Sequence, residues 1–444
     1  MWFKEEHHLP GVTRTSPGVT RTSSGLARIL SRKGRVGLAA IAAASLLILS
    51  ACSTTSAPSS SATPSEITVW HYTIDPIQAK VITAAAAAFE KTHPHTKVNS
   101  VYVPYDQLQS KLIAAAAAQR GPDVVLFNGG DANTLAAAGT LAPLDKYWSA
   151  YKDKSQFPDS TLHYYNNKLY AVQGVVDLVA LWYNQDLMKK LGIAAPPTTI
   201  DEFNADMAKA KVAGYKGLTV TGLPNDQSEW QAYPWLTHAG FSYEKPTAAS
   251  LTSAFTTVQS WVNNGYLSKE AVTWDQTLPF QQFLTGNVLF AENGDWQAGA
   301  AKGAKFKYGV APLPLSTDGK LYLGGTGNAI GAFSKAPQLA WEYIESGTLS
   351  KSGEISALEN IGSIPARLDM VKDPTVTSSA ITQGFASLIG PNGAKYPSAA
   401  IPPKSVAGVQ LLVGQTWSAV LGGQLTPKDA ADKVMSGLNT LLKK

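Results

Sequence analysis

Hydrophobic residues in this chain repeat with two periods, and the places where one gives way to the other mark out its elements. Residues 66–70 alternate, with Ile67 and Val69 between polar neighbours, and predict a short strand. Ile77, Val81, Ala84, Ala88 and Phe89 then share one helical face. Thr73 or Asp75 is placed to cap that helix, with Pro76 at its first position, and His93-Pro94 ends it. Residues 97–103 predict a second strand and 105–118 an alanine-rich helix, stopped by Gly121-Pro122. Val124-Val125-Leu126-Phe127 is apolar without a break, as expected of a central parallel strand covered on both faces. Strand, helix, strand, helix, strand predicts a doubly wound α/β unit.

A second unit begins near residue 175. Asn166-Asn167-Lys168-Leu169-Tyr170 predicts a turn feeding a strand, and residues 175–182 are apolar except for Asp177. An isolated acid in such a run is costly unless it is paired or faces a cleft. Thr199 and Glu202 form a capping box before a helix that stops at Gly214. Leu251, Phe255, Val258 and Val262 give another helix, closed by Gly265. Residues 280–284 and 288–291 predict a short helix and a strand, followed by a turn at Asn293-Gly294. Strands are expected at 308–311 and 321–323, and helices at 337–349 and 406–421. A last helix has Thr426 as its cap and Pro427 at its first position, with Val434, Leu438 and Leu441 buried.

The amino-terminal end follows neither period. Residues 36–51 carry no charge, follow the basic cluster Arg28, Arg32, Lys33 and Arg35, and lead to Cys52, the one cysteine in 444 residues. That order is the order of a secretory signal, and the apolar run is short for a spanning helix. Leu49-Ser50-Ala51-Cys52 resembles the lipobox of bacterial lipoproteins, which implies cleavage before Cys52 and a diacylglyceryl group on its thiol. Residues 1–51, which contain a perfect repeat of Pro-Gly-Val-Thr-Arg-Thr-Ser, are expected to be a leader and lipoprotein signal peptide, and 52–65 a Ser/Thr/Pro tether. The formal charge of +5 belongs to the leader. It holds seven Lys/Arg and two acids, which leaves 37 − 7 = 30 basic and 32 − 2 = 30 acidic residues behind it. A neutral exported part gives no reason to expect nucleic acid or a charged membrane patch.

Four stretches together resemble the family 1 extracellular solute-binding proteins of ABC importers, the maltose-binding type. They are Asn167-Lys168-Leu169-Tyr170 followed by Leu181-Trp182-Tyr183-Asn184; the segment from Phe283 to Trp296; Gly324-Gly325 with Lys335 and Ala340-Trp341-Glu342-Tyr343; and Ser363-Ile364-Pro365-Ala366-Arg367. The resemblance implies an α/β, two-lobed periplasmic-binding-protein-like fold (type II). Each lobe would be a mostly parallel sheet flanked by helices, joined to the other by hinge strands near Gly174, Gly324 and Lys372. Residues 66–174 and 324–372 would form lobe 1, and 175–323 and 373–444 lobe 2.

The implied function is a lipid-anchored receptor on the outer face of the cell membrane. It would capture a mono- or short oligosaccharide between its lobes and deliver it to ABC permease subunits. A monomer with no cofactor and no metal suffices for that. An aromatic plate buries a sugar's C–H face while Asp and Asn take its hydroxyls. The positions expected to serve are His71, Asn128, Asp131 and Asp177 for hydroxyls, Trp230 and Trp296 as plates in loops, and Gly324 and Gly325 for close backbone approach. Tyr72, Asp75, Trp274 and Arg367 are further candidates. Asp131 is alternatively a helix cap, and Trp182, Trp261, Trp341 and Trp417 are expected in the core. The maltose-type aromatic after Pro402-Pro403 is replaced by Val406-Ala407-Gly408, which implies a smaller platform on that side. Two other functions compete. The same acids and tryptophans would suit a polyamine, and Glu292 with Asp295 could be imagined as the pair of an exported carbohydrate-active enzyme. G-x-S-x-G and H-E-x-x-H motifs are absent from the sequence.

Overall fold

The computed structural model describes residues 66–73 and 78–443. The expectations for Cys52, Asp75 and Pro76 therefore lie outside the described residues. In chain order the strands are β1 (Glu66–His71), β2 (Lys97–Tyr102), β3 (Val124–Asn128), β4 (Leu162–Tyr165), β5 (Lys168–Gln173), β6 (Val175–Val176) and β7 (Val179–Asn184). They continue with β8 (Lys216–Thr219), β9 (Val288–Gly294), β10 (Tyr308–Ala311), β11 (Leu321–Leu323), β12 (Thr326–Ile330), β13 (Ile364–Pro365) and β14 (Gly393–Lys395).

Two main sheets organise these strands. The first has the order β2-β1-β3-β12-β5-β4 and the second β10-β7-β9-β8. The expected two-lobed α/β class holds, but pairing within each sheet is mixed rather than mostly parallel. β1 runs parallel to β2 and β3, where helices make the crossovers, and β12 runs antiparallel to both β3 and β5. In the second sheet only β8 and β9 are parallel, while β7 is antiparallel to β9 and β10. The reason is connectivity. β12 reaches the first sheet only after the chain has built the second, so it enters from the opposite end and needs no helical crossover.

Local signals set the helices. Thr199 accepts from Glu202 N and Glu202 reaches back to the cap, so the capping box forms. Gly214 and Gly265 take positive φ (83° and 69°) where their helices stop, a conformation that costs glycine little. The helix after β1 runs Ala79–Thr92 and ends at His93. Residues 175–182 do not form one strand. β6 and β7 are separate, with Asp177 between them. Asn293-Gly294 is the end of β9 and not a turn.

Each sheet has its own core. Val124, Leu126, Leu169, Trp341 and Tyr343 pack with the first. Trp182, Phe203, Trp235, Trp261 and Trp417 pack with the second, where the helices Asp226–His238, Val406–Leu421 and Pro427–Leu441 cover it. Trp182, Trp261, Trp341 and Trp417 are thus core residues, as expected, and Trp235 joins them. Between the sheets two short pairings carry the chain. β6 pairs antiparallel with β13, and Asp177 bridges Gly324 through Asp177 N to Gly324 O (3.1 Å) and Gly324 N to Asp177 O (2.9 Å).

Candidate functional site

A cleft of about 680 Å³ lies at the carboxyl ends of β1 and β3, where open α/β sheets place ligands. One side comes from the first sheet: Tyr72, Tyr102, Tyr105 and Asn128. The other comes from the second: Asn225, Asp226, Trp230, Asp275, Gln276 and Trp296, with Tyr396 beside them. Asp177, Gly325 and Ser363 line it from the connecting pairings.

The aromatic side is built from the helix Asp226–His238. The side chain of Asn225 accepts from Gln227 N and starts that helix. Trp230 follows one turn in, so it stands in a helix and not in the loop the sequence suggested. Its ring meets Tyr396 edge-on at 4.5 Å and Trp296 at 6.5 Å. Glycines seat two of these rings. A Cβ on Gly324 would stand 2.2 Å from the Trp230 ring, and one on Gly130 would stand 2.1 Å from the Tyr396 ring. Gly324 thus supports Trp230 and is not itself a wall of the cleft. Val406 turns into the second core, and Tyr396, whose hydroxyl accepts from Gln410 Nε2 of the same helix (2.6 Å), lines the cleft instead.

On the opposite side the hydroxyl of Tyr105 donates to Asp226 Oδ2 (2.5 Å) and accepts from Asn128 Nδ2 (2.7 Å). Asn128 also accepts from Gly130 N, and so caps the short turn after β3. The alternative given for Asp131, a helix cap, is not formed. Asp131 is half-buried, accepts from Gln109 Nε2 (3.5 Å) and does not line the cleft. Burial first, then the nearby Asp226 charge, push its pKa up to about 8. Tyr72 bonds Thr326 (3.2 Å), and burial pushes its phenol up to about 12.

Two carboxyls meet at the connecting pairings. Asp295 is fully buried and accepts from Leu178 N (3.0 Å) and Ile364 N (3.2 Å). Burial, and then the neighbouring Asp177, hold it well above the usual carboxylate range. Asp177 is raised by its own burial, and its Oδ1 has no protein partner. Glu292 points into the second core, where it accepts from Trp235 Nε1 (2.6 Å). Glu292 and Asp295 lie at one end of β9, yet neither lines the cleft.

Of the positions the sequence suggested, Tyr72, Asn128, Asp177, Trp230, Trp296 and Gly325 line the cleft. His71 does not, because alternation along β1 turns it inward, where burial lowers its pKa. Trp274 is buried in the second core. Arg367 is held by Asp153 (3.0 Å), Asp369 and the Leu349 carbonyl, and braces its turn away from the cleft. The residues sequence reasoning missed are Tyr102, Tyr105, Asp226 and Tyr396. Tyr102 ends β2, Tyr105 follows it, and Asn225-Asp226 reads as a helix start, so those three carried a usable signal. Tyr396 carried none. Among the described lining residues there is no Lys, Arg or His, while Asp106, Asp177, Asp226 and Asp275 supply four carboxyls. Among the described residues no cluster of His, Cys, Asp and Glu is set to hold a metal.

Residues 84–383 match the sequence profile described as "Bacterial extracellular solute-binding protein". The chain is 24% identical over 377 residues to the maltotriose-binding protein of Pyrococcus abyssi, covering 80% of this chain and 76% of that one. It is 26% identical over 361 residues to the galactooligosaccharide-binding protein of Bacillus subtilis, covering 76% and 82%. Among solved structures, the GacH receptor of Streptomyces glaucescens superposes with a TM-score of 0.77 at 23% identity, over 86% of this chain and 99% of that one.

Proposed function

The chain belongs to the bacterial extracellular solute-binding protein family, and from that premise we propose that it captures a neutral mono- or short oligosaccharide for an ABC importer. The lobes would be 66–174 with 324–372 and 175–323 with 373–444, closing about the three connections like other hinged binding proteins. The observation that carries the reading is the make-up of the cleft. Six aromatic rings (Tyr72, Tyr102, Tyr105, Trp230, Trp296 and Tyr396) stand among amides and carboxyls, and the described lining has no basic side chain. Rings cover the C–H faces of a sugar, and acceptors take its hydroxyls. A phosphate or uronate would meet four carboxyls and no counter-charge. The names of the relatives, which bind maltotriose or galactooligosaccharides, support the same ligand class.

Tyr72, Asn128, Asp177, Trp230, Trp296 and Gly325 would contact the ligand. The chain would work as a receptor and not as an enzyme. Cys52 would carry lipid and hold it to the outer face of the membrane, beside the permease that takes the sugar. Two acyl chains suffice for stable anchoring. The four carboxyls also favour a second ligand class, a polyamine. Calorimetric titration with maltose, maltotriose, a galactooligosaccharide, glucose 6-phosphate and spermidine separates the readings. Saturable heat with a neutral sugar and none with the phosphate is expected. Binding of spermidine alone would overturn the carbohydrate reading.

A further inference from the structure

Tyr105 opens the helix Tyr105–Ala117, which packs through Leu108 and Leu112 on the first sheet. Asp226 opens the helix Asp226–His238, which belongs to the second core. They are 121 residues apart, yet the Tyr105 hydroxyl donates to Asp226 Oδ2 across the cleft at 2.5 Å. Two groups on the first-sheet side and its place in the helix hold Tyr105 for that bond. Asn128 donates to its oxygen, Tyr72 meets its ring edge-on at 5.4 Å, and the residue is fixed at a helix start. Asn128 is itself locked by Gly130 N.

We propose that Tyr105 is a positioning residue for capture, whose bond to Asp226 joins the two lobes and favours their closed arrangement whatever sugar lies between them. This rests on the reading that the ligand binds between the lobes. An O–H donated to a carboxylate is roughly twice as strong as a neutral hydrogen bond. The bond exists only where the two sides meet, so it stabilises the closed state selectively. A contact present in one state alone shifts the population toward that state and raises apparent affinity by the same factor. Gln78 makes a second crossing, from its Nε2 to the Trp296 carbonyl at 3.2 Å, but between uncharged groups. Tyr105 and Asp226 therefore contribute the charged cross-cleft bond.

The test uses the full chain carrying Cys52→Ser, with Tyr105→Phe, Asp226→Ala and both together. Phe keeps the ring against Tyr72 and removes only the donor. Dissociation constants and rates are measured for two neutral probes of different length, maltose and maltotriose. Each single variant is expected to weaken both probes by the same factor of about ten, with the double variant no worse, and to act through faster dissociation. Spin labels at Lys111→Cys and Lys211→Cys, without sugar, are expected to show longer distances in Tyr105→Phe. Unchanged affinity would overturn the proposal. So would a loss for one probe only, since Tyr105 would then be an ordinary ligand contact. If neither probe binds the parent chain, these two sugars are ruled out as ligands, and the label distances still decide: no lengthening refutes the cross-lobe role.

Discussion

Glu229 sits one residue before Trp230, wholly inside the second core, and its ionisation should make the stability of this protein fall with rising pH. Its Oε1 accepts from Tyr243 and Tyr322 (2.9 Å each), and its Oε2 has no protein partner. Burial pushes its pKa from 4.5 to about 7, against the lowering effect of the two tyrosines. A raised folded pKa means that the folded state holds the proton more tightly than the unfolded chain. The contribution is therefore complete below the unfolded value of 4.5 and is lost as pH rises through the folded value of about 7. At about 1.36 kcal/mol per pKa unit, the shift is worth roughly 3 kcal/mol. Glu229→Gln keeps the accepting oxygen and cannot ionise, so it removes the pH dependence of this site while leaving an unpaired N–H. Urea unfolding of parent and variant at pH 4.5, 6, 7 and 8, followed by tryptophan fluorescence, checks it. The variant should be equal or weaker at pH 4.5 and should gain on the parent by roughly 3 kcal/mol by pH 8. Parallel pH profiles would show that the core admits water to the carboxylate and would refute the argument. Glu292 and Asp131, both raised to about 8, leave a residual slope of the same sign in the variant.

Three further outcomes are expected. Trp296→Ala removes a cleft wall; about 100 Å² of lost apolar contact at roughly 25 cal/mol/Å² is about 2.5 kcal/mol, close to a hundredfold in affinity by calorimetry, with the urea midpoint little changed. Gly130→Ala places a methyl in the Tyr396 ring, so ligand affinity should drop and stability should fall by about 1–3 kcal/mol in urea unfolding. Cys52→Ser should leave affinity intact and move the protein from the membrane fraction to the soluble fraction on blotting; a variant still in the membrane would refute the lipid anchor.

By itself the sequence determined those elements whose causes are local. The alternation of Ile67 and Val69, the Thr199–Glu202 box and the stops at Gly214 and Gly265 act over a few residues, and each appears as expected. It also placed Asn128, Asp177, Trp296 and Gly325 near strand ends or connections, which is where such folds put a ligand. Strand direction was not readable, since β12 joins β3 and β5 from a distant part of the chain. Nor was the role of Glu292, which alternation on β9 sends into the core to meet Trp235. Only the tertiary structure decided which side chains face one another across the cleft. Tyr105 stands at the start of an expected helix and Asp226 at the start of one where a loop was expected, and Tyr396 follows a short strand with no pattern around it. Their partners lie across the cleft or across the core, and a hydrogen bond or ring contact between distant segments leaves no period in the sequence. Packing of two separately built halves brings them together, and with them the charged bond that spans the site.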